Sequence, residues 1–226
     1  EEKIIDLHFG LDAISNKKID FLHCLSVTED PTRIIRAARY SARLDFKLST
    51  ESIKQIKSTI DSWPWEWHIG DQPYLAPSAL SSRLKMELEL LFQNEPWEKA
   101  INNLKDWGAL KILDPNLQSE EKFQERVKLA KELNIQPLTA FIYGAQDPIA
   151  LSERLQLAQE QQRIIKGGIK LKNYLNNIYY SEEYKDWTAS KWTTILEKKN
   201  LHKHSLALEI HLNNPLKKYL LSWLNN

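Results

Sequence analysis

The stretch Thr28-Glu29-Asp30-Pro31-Thr32-Arg33-Ile34-Ile35-Arg36-Ala37-Ala38-Arg39-Tyr40-Ser41-Ala42-Arg43-Leu44-Asp45-Phe46 decides how this chain is read. Asp30-Pro31 has the composition of an N-cap followed by proline at the first helical position, where the missing N–H is no loss. A helix is therefore expected from Pro31 to about Leu44. At about 100° per residue, Arg33, Arg36, Arg39 and Arg43 fall within an arc of about 120°, while Ile34, Ile35, Ala38 and Ala42 take the opposite side. Asp30 is the only acidic residue from Asp30 to Arg43, so helical i,i+4 partners do not neutralise the arginine face. Planar guanidinium forks gathered this way suit phosphates or nucleobase edges. Asp30 and Arg33, three residues apart, also set a carboxylate acceptor beside a guanidinium donor. Cytosine and adenine offer the complementary order, an exocyclic amine beside an accepting ring nitrogen or carbonyl, and guanine and uracil do not. Two plainer readings stand beside this one: Asp30 as a simple N-cap, and the arginine face as a solvated surface or a partner for acidic neighbours elsewhere in the fold.

Outward from that helix the pattern stays helical. Ser49 or Thr50 caps a second helix ending near Trp63, and Pro64 with the aromatic segment WPWEWHIGDQP makes residues 63–77 a loop or joint. Pro77-Ser78 opens a helix with Leu80, Leu84, Leu88 and Leu91 on one stripe and Arg83 four residues before Glu87. Shorter helices are expected at 96–107, 119–133, 137–144, 148–158, 160–177, 181–186, 188–198, 201–211 and 215–225. Gly167-Gly168 reads as a helix interruption. No alternating β-branched run follows the first few residues and no repeat of fixed period is present, so the fold class is all-α and not a solenoid.

Composition narrows the function classes. The 226 residues suffice for one compact domain or two small ones. Lys plus Arg (31) balance Asp plus Glu (30), and the net charge of +1 gives no global basic field, so any phosphate-binding surface must be a local patch. The single cysteine, Cys24, excludes an internal disulfide framework and a multi-cysteine zinc site; it fits a reducing cytosol and is expected in the core. The first ten residues carry no basic-then-apolar signal and no run approaches about 18 apolar residues. A cytoplasmic protein without a membrane span is expected. His202 and His204, two apart, point to different faces of a helix and make a poor metal pair. Trp63, Trp65 and Trp67 could stack on bases, but helical cores use tryptophan heavily and a structural role is the expected one.

Asp6-Leu7-His8-Phe9-Gly10-Leu11-Asp12, then Ile19-Asp20-Phe21-Leu22-His23, then Glu29 to Tyr40 with Ala42 to Phe46, resemble the head–neck junction of class II tRNA nucleotidyltransferases, the family of CCA-adding enzymes and bacterial poly(A) polymerases. A weaker similarity continues through Ser81 to Leu88 and Leu104 to Pro115. The chain departs from the family at His8, where proline is usual, and at Asp45, where glycine is usual. The resemblance implies an elongated helical neck plus a helical body: residues 1–29 as the end of a head and hinge, 30–76 as the neck and 77–226 as an RNA-binding body. It implies that Asp30 and Arg33 read the base of CTP or ATP and that Arg36 and Arg39 help hold the nucleotide. Arg33, Arg36 and Arg39 are then expected to be at least partly open to solvent. The implied partners are tRNA, through its 3′ end and acceptor arm, and CTP or ATP.

In that family the carboxylates that hold Mg2+ for nucleotidyl transfer sit on a sheet in the head, after Gly-Gly and Arg-Asp motifs. Gly167-Gly168, followed by IKLKNYL, lacks the acidic residues of such a motif. The 226 residues are therefore expected to be a fragment without catalytic or metal-binding residues of its own, beginning inside the last strand-and-hinge segment of the head. The competing reading is a free-standing helical RNA-binding or protein-interaction module that performs no chemistry.

Overall fold

The computed structural model describes residues 5–198, 203–211, 215–216 and 219. In chain order the elements are α1 (Gly10–Ser15), β1 (Lys18–Ile19), α2 (Ser26–Glu29), α3 (Thr32–Leu44), β2 (Lys47–Leu48), α4 (Thr50–Ser62), α5 (Ser82–Asn94), α6 (Trp97–Asp106), α7 (Pro115–Ser119), α8 (Phe123–Glu132), α9 (Pro137–Ile142), α10 (Pro148–Arg154), α11 (Gln159–Ser181), α12 (Ala189–Lys198) and α13 (Lys203–His211). Single 3-10 turns lie at Pro73–Leu75, Ser78–Leu80, Ala109–Ile112 and Glu183–Asp186. Among the described residues the only sheet is the parallel pair β1–β2, with Lys18 opposite Lys47 and Ile19 opposite Leu48. The protein is all-α, without a repeating helical array. Among the described residues no helix is long and apolar enough to cross a membrane.

The chain divides into two compact units: residues 1–120 with 145–156, and residues 121–144 with 157–226. In the first, α3 packs on α5 and α6. Ile34, Ile35, Ala38 and Ala42 of α3 are buried, as are Leu84, Leu88 and Leu91 of α5 and Ala100, Ile101 and Leu104 of α6. Each buried leucine or isoleucine among these stabilises the fold by about 1.5–3 kcal/mol relative to its exposed state, and each alanine by less. The apolar stripes read from the sequence are therefore the faces that make this core. The segment returning at 145–156 is pinned by Arg154, 2 % exposed, whose Nη2 donates to the carbonyls of Ile112 and Leu113 at 3.2 and 2.7 Å. Burial pushes Arg154 down to about 10, with Asp114 acting against it.

Local chemistry sets the helix limits. Ser49 accepts from the Ser52 N–H at 3.1 Å and caps α4, while Asp114 and Asp147 cap α7 and α10, each followed by proline at the first helical position. Asp45 ends α3 at φ 58°, in the left-handed region that glycine adopts most cheaply. The helix expected from Ser78 is broken at Ser81, whose hydroxyl donates to the carbonyls of Ala76 and Pro77. The helix expected over 119–133 begins only at Phe123, because Glu120 is extended and ends the separate short helix α7. The helix expected over 181–186 is a 3-10 turn, and the one expected over 215–225 lies outside the fully described residues. Cys24 is exposed rather than in the core.

The three tryptophans of the 63–77 loop each donate an indole N–H to a backbone carbonyl: Trp63 to Trp67 at 2.7 Å, Trp65 to Thr28 at 3.0 Å and Trp67 to Gln72 at 3.2 Å. This is the structural role expected of them. It closes a loop that has few backbone bonds of its own.

The second unit is built on α11, which packs against α13, while α8 packs against α9. Ala130, Ile135, Ala140, Ile164 and Leu208 form one buried cluster, and Leu171, Leu175, Ile178, Trp192, Leu196 and Leu216 another. Gly167-Gly168 does not interrupt α11; the helix runs straight through it. Its role is close approach. A Cβ on Gly167 would lie 2.6 Å from the Ser205 hydroxyl, and one on Gly168 would lie 2.7–2.9 Å from the Tyr143 ring and hydroxyl. Tyr143 cannot readily give way, because its buried hydroxyl donates to Glu209 at 2.8 Å. Burial first, and then the Glu209 charge, push its phenol far above the ordinary value.

A Cβ at Gly168 would gain about 1 kcal/mol of helix propensity but incur about 1–3 kcal/mol of overpacking against a ring held at both ends. Gly168→Ala is therefore expected to lower stability by up to about 2 kcal/mol, read as a lower denaturant midpoint. A variant at or above wild-type stability would show that the glycine is not a packing requirement.

Candidate functional site

The arginine face of α3 meets α5 in a ladder of charges. Arg36 donates from Nε and Nη2 to one oxygen of Glu87, at 3.1 and 2.5 Å, and Arg39 donates from Nη1 to the other at 2.5 Å. Arg39 Nε also reaches Glu95 at 3.3 Å, and Arg43 closes a two-point bond on Glu95, with Nε at 2.9 Å and Nη2 on the second oxygen. The geometry follows from the helix period. Residues 36, 39 and 43 follow one another up a single face of α3, and Glu87 and Glu95 rise along α5 and its C-terminal end so that each carboxylate fits between two guanidinium groups.

Burial is uneven along the ladder. The Glu87 and Glu95 side chains are 2 % and 0 % exposed and that of Arg39 is 9 %, whereas those of Arg36 and Arg43 are 54 % and 47 %. Arg39 therefore departs from the expectation of a partly open side chain. A buried carboxylate pair recruits the nearest guanidinium on the helix, and Arg39 lies between its two neighbours on the side facing α5. The hydrogen bond and charge of Glu87 hold Arg36 above its ordinary value, and those of Glu95 do the same for Arg43. Three arginines on two carboxylates leave the ladder with one excess positive charge.

Asp30 and Arg33 lie at the start of the same helix, outside the ladder. Asp30 Oδ1 accepts from the Thr32 N–H at 3.1 Å and the Thr32 hydroxyl at 2.6 Å, and Oδ2 accepts from Arg83 Nη2 at 2.5 Å. Asp30 thus does bond to the first turn, as the plain reading has it, and does so with one oxygen only. Burial pushes its carboxyl up, but the Thr32 bonds and the Arg83 charge outweigh burial and hold it below the ordinary carboxylate range. Arg33 is half-exposed, donates from Nη1 to the Ser26 carbonyl at 3.2 Å and lies 3.6 Å from Glu29. The structure thus brings Asp30 and Arg33 together at one end of α3 and places Arg36 and Arg39 on the carboxylates of α5.

Inspection of the sequence set Arg83 beside Glu87 on one helix but assigned neither of them, nor Glu95, to this site. One signal was present: Glu87 falls about 20° beyond the edge of the stripe formed by Leu80, Leu84, Leu88 and Leu91, so a charge sits beside a buried arc and needs a buried partner. The site is a helix face and not a hollow. A cavity of about 490 Å³ beside Trp67 and Arg154 includes none of Asp30, Arg33, Arg36 or Arg39.

Two outcomes test this geometry. Glu87→Gln leaves Arg39 buried with its charge only partly matched, and a broken buried pair typically costs about 3–5 kcal/mol. With Glu95 still in place, a loss near 3 kcal/mol is expected in chemical denaturation, and less than about 1 kcal/mol would place the ladder in solvent. Asp30 titrates below its unfolded value of about 3.9, so its contribution is complete above that pH and is lost as pH falls through the folded value. Asp30→Asn is expected to flatten the fall in stability below about pH 4; an unchanged slope would remove Asp30 from the acid transition.

No protein-family model matches the chain. It is 29% identical over 124 residues to an A-adding tRNA nucleotidyltransferase of Aquifex aeolicus, covering 55% of this chain and 14% of that protein. It is 28% identical over 166 residues to a CC-adding tRNA nucleotidyltransferase of Deinococcus radiodurans, covering 72% of this chain and 40% of that one. The chain thus spans less than half the length of either relative. Among solved structures, a tRNA nucleotidyltransferase complexed with a primer tRNA and an incoming ATP analog matches 98% of this chain and 64% of its own, with a TM-score of 0.57 and 23% identity. The chain is therefore similar in sequence, over part of its length, to tRNA nucleotidyltransferases, and it shares its fold with a solved one.

Proposed function

We propose that this chain is the nucleotide-selecting neck and tRNA-binding body of a tRNA nucleotidyltransferase that adds C, A or both to the 3′ end of tRNA from CTP or ATP. Residues 30–76 act as the neck and 77–226 as the body, with 1–29 joining them to the catalytic part. The observation that carries the proposal is that Asp30, held by Thr32 and Arg83, and Arg33, beside Ser26 and Glu29, stand three residues apart at the start of α3, in a segment that resembles the family's base-reading motif and apart from the buried part of the ladder. An ionised carboxylate has about four lone-pair positions, and three of Asp30's are taken by Thr32 and Arg83. One acceptor position remains for the exocyclic amine of cytosine or adenine. Arg33 has five N–H donors, one of them on the Ser26 carbonyl, and others can serve the adjoining ring nitrogen or carbonyl.

Arg36 is half-exposed on a ladder with one excess positive charge, which supports a contact with a phosphate or the sugar edge of the bound nucleotide. Arg39 was expected to do the same. Its burial supports a different part: it ties α3 to the two carboxylates and fixes where Asp30 and Arg33 stand.

Nucleotidyl transfer requires a divalent metal, Mg2+ in this proposal, to activate the attacking hydroxyl and neutralise the triphosphate. Among the described residues no group of three or more His, Cys, Asp or Glu side chains could hold such an ion. The residues present do not fit a metal, and no chemical step is assigned to them. Their work is to choose and orient the base.

In a complete enzyme containing this chain, Asp30→Ala removes the acceptor for the amine and Arg33→Ala the neighbouring donor. Loss of a hydrogen-bonding partner in a specific site typically costs about 1–3 kcal/mol, equivalent to about 5- to 150-fold in selectivity. Both variants are expected to lose preference for CTP and ATP over UTP and GTP, together with rate. Incorporation of each of the four nucleotides measures this. Unchanged nucleotide preference in both variants would rule out the base-reading role and leave Asp30 as a cap.

A further inference from the structure

The net charge of +1 hides a separation. Residues 121–144 and 157–226 hold 15 Lys plus Arg against 9 Asp plus Glu, a formal +6, whereas residues 1–120 and 145–156 hold 16 against 21, a formal −5. Within the basic unit the excess concentrates on α11. From Gln161 to Ser181 the sequence QQRIIKGGIKLKNYLNNIYYS contains Arg163, Lys166, Lys170 and Lys172 and no carboxylate.

The helix sorts these residues onto one side. Ile164, Ile165, Gly168, Leu171, Leu175 and Ile178 are the buried residues of α11. At about 100° per residue they occupy an arc of about 140°, and the opposite side is a stripe of Arg163, Lys166, Lys170, Asn173, Asn177 and Tyr180, spaced three and four apart. Arg163, Lys170, Asn173, Asn177 and Tyr180 are exposed. Neither Arg163 nor Lys170 forms a salt bridge with any described residue, in contrast to the arginines of α3, which are matched by Glu87 and Glu95. The stripe spans about 25 Å along the helix.

We infer that this stripe of α11 is an RNA-binding surface that follows a sugar–phosphate backbone. Cations a turn apart attract successive phosphates and release their counterions on binding. The two asparagines present both donors and acceptors, which suits 2′-hydroxyls, and Tyr180 offers a stacking face at the end of the stripe. A membrane-bound helix would need exposed apolar side chains beside the cations; here the apolar arc of α11 is consumed by the core of its own unit. The choice of RNA as the polyanion rests on the proposed function, whereas the surface itself rests on α11 alone. It is separate in sequence and in role from Asp30 and Arg33.

The test is a fluorescence-anisotropy titration of the 226-residue chain with a labelled tRNA transcript at several salt concentrations. Arg163→Gln with Lys170→Gln is expected to weaken binding at least about tenfold near 0.1 M salt and to reduce the slope of log K against log salt by about 2. Lys57→Gln, on the exposed side of α4, is expected to bind as the wild type does. Circular dichroism melting confirms that the double variant is folded, as exposed substitutions allow. A folded double variant with wild-type affinity and slope would overturn the inference, as would an equal loss in Lys57→Gln. No measurable RNA binding by the wild type would overturn it too, while leaving base selection by Asp30 and Arg33 standing. Tighter binding to vesicles rich in phosphatidylserine than to RNA, lost in the double variant, would reassign the surface to membranes.

Discussion

The first unit depends on two carboxylates, those of Glu87 and Glu95, that are almost wholly buried. A buried carboxylate without a partner is too costly to keep ionised, so each must be met by a cation that arrives with correct geometry. Arg36, Arg39 and Arg43 supply this from one face of α3. Because each carboxylate is gripped by two guanidinium groups, sliding or rotating α3 against α5 would break several charge-assisted bonds at once. Apolar burial, of Ile34, Ile35 and Ala38 on α3 and of Leu84, Leu88 and Leu91 on α5, holds both helices in one core. Hydrophobic contact alone is non-directional, and the ladder selects one register from those it would allow.

That register has a consequence one turn away. Asp30 and Arg33 precede the ladder on the same helix, so their positions are inherited from it, and Arg83 on α5 reaches Asp30 directly. A base-reading pair must hold its acceptor and donor in fixed order, because a displaced pair would no longer distinguish an amine from a carbonyl. In the proposed function the buried charges thus serve a site they do not touch. The second unit solves a different problem. Its long helix α11 is held by close contacts at Gly167 and Gly168, and Arg163 and Lys170 on its basic side form no salt bridge with a described residue.

The local chemistry of α3 was legible in the sequence. Asp30-Pro31 marked its start, the three- and four-residue spacing of Ile34, Ile35, Ala38 and Ala42 marked its buried face, and the leucines of α5 marked theirs. The partners of the arginine face were not legible. Glu87 and Glu95 lie about fifty residues further along the chain, and nothing in the periodicity of α3 distinguishes an arginine that faces a buried glutamate from one that faces water. For the same reason the exposure of Arg39 was misjudged. Gly167-Gly168 was misread because glycine weakens a helix in isolation, and only the tertiary approach of Ser205 and Tyr143 shows why the helix keeps it. Residues 145–156 are tied to the first unit by Arg154 on two backbone carbonyls and by the Gln146 N–H on Asp114, contacts that leave no periodic trace.

The central claim is that α3 divides its arginines, committing Arg39 to the fold and Arg33 to the nucleotide. Nitrogen-15 NMR of the guanidinium Nε signals, in a complete enzyme containing this chain and titrated with each nucleotide, observes that division directly. The account predicts that Arg33 Nε shifts on addition of CTP and ATP, responds little to UTP and GTP, and that Arg39 Nε remains in place throughout. An Arg33 signal indifferent to CTP and ATP, or an Arg39 signal that moves as far as Arg33, would contradict it.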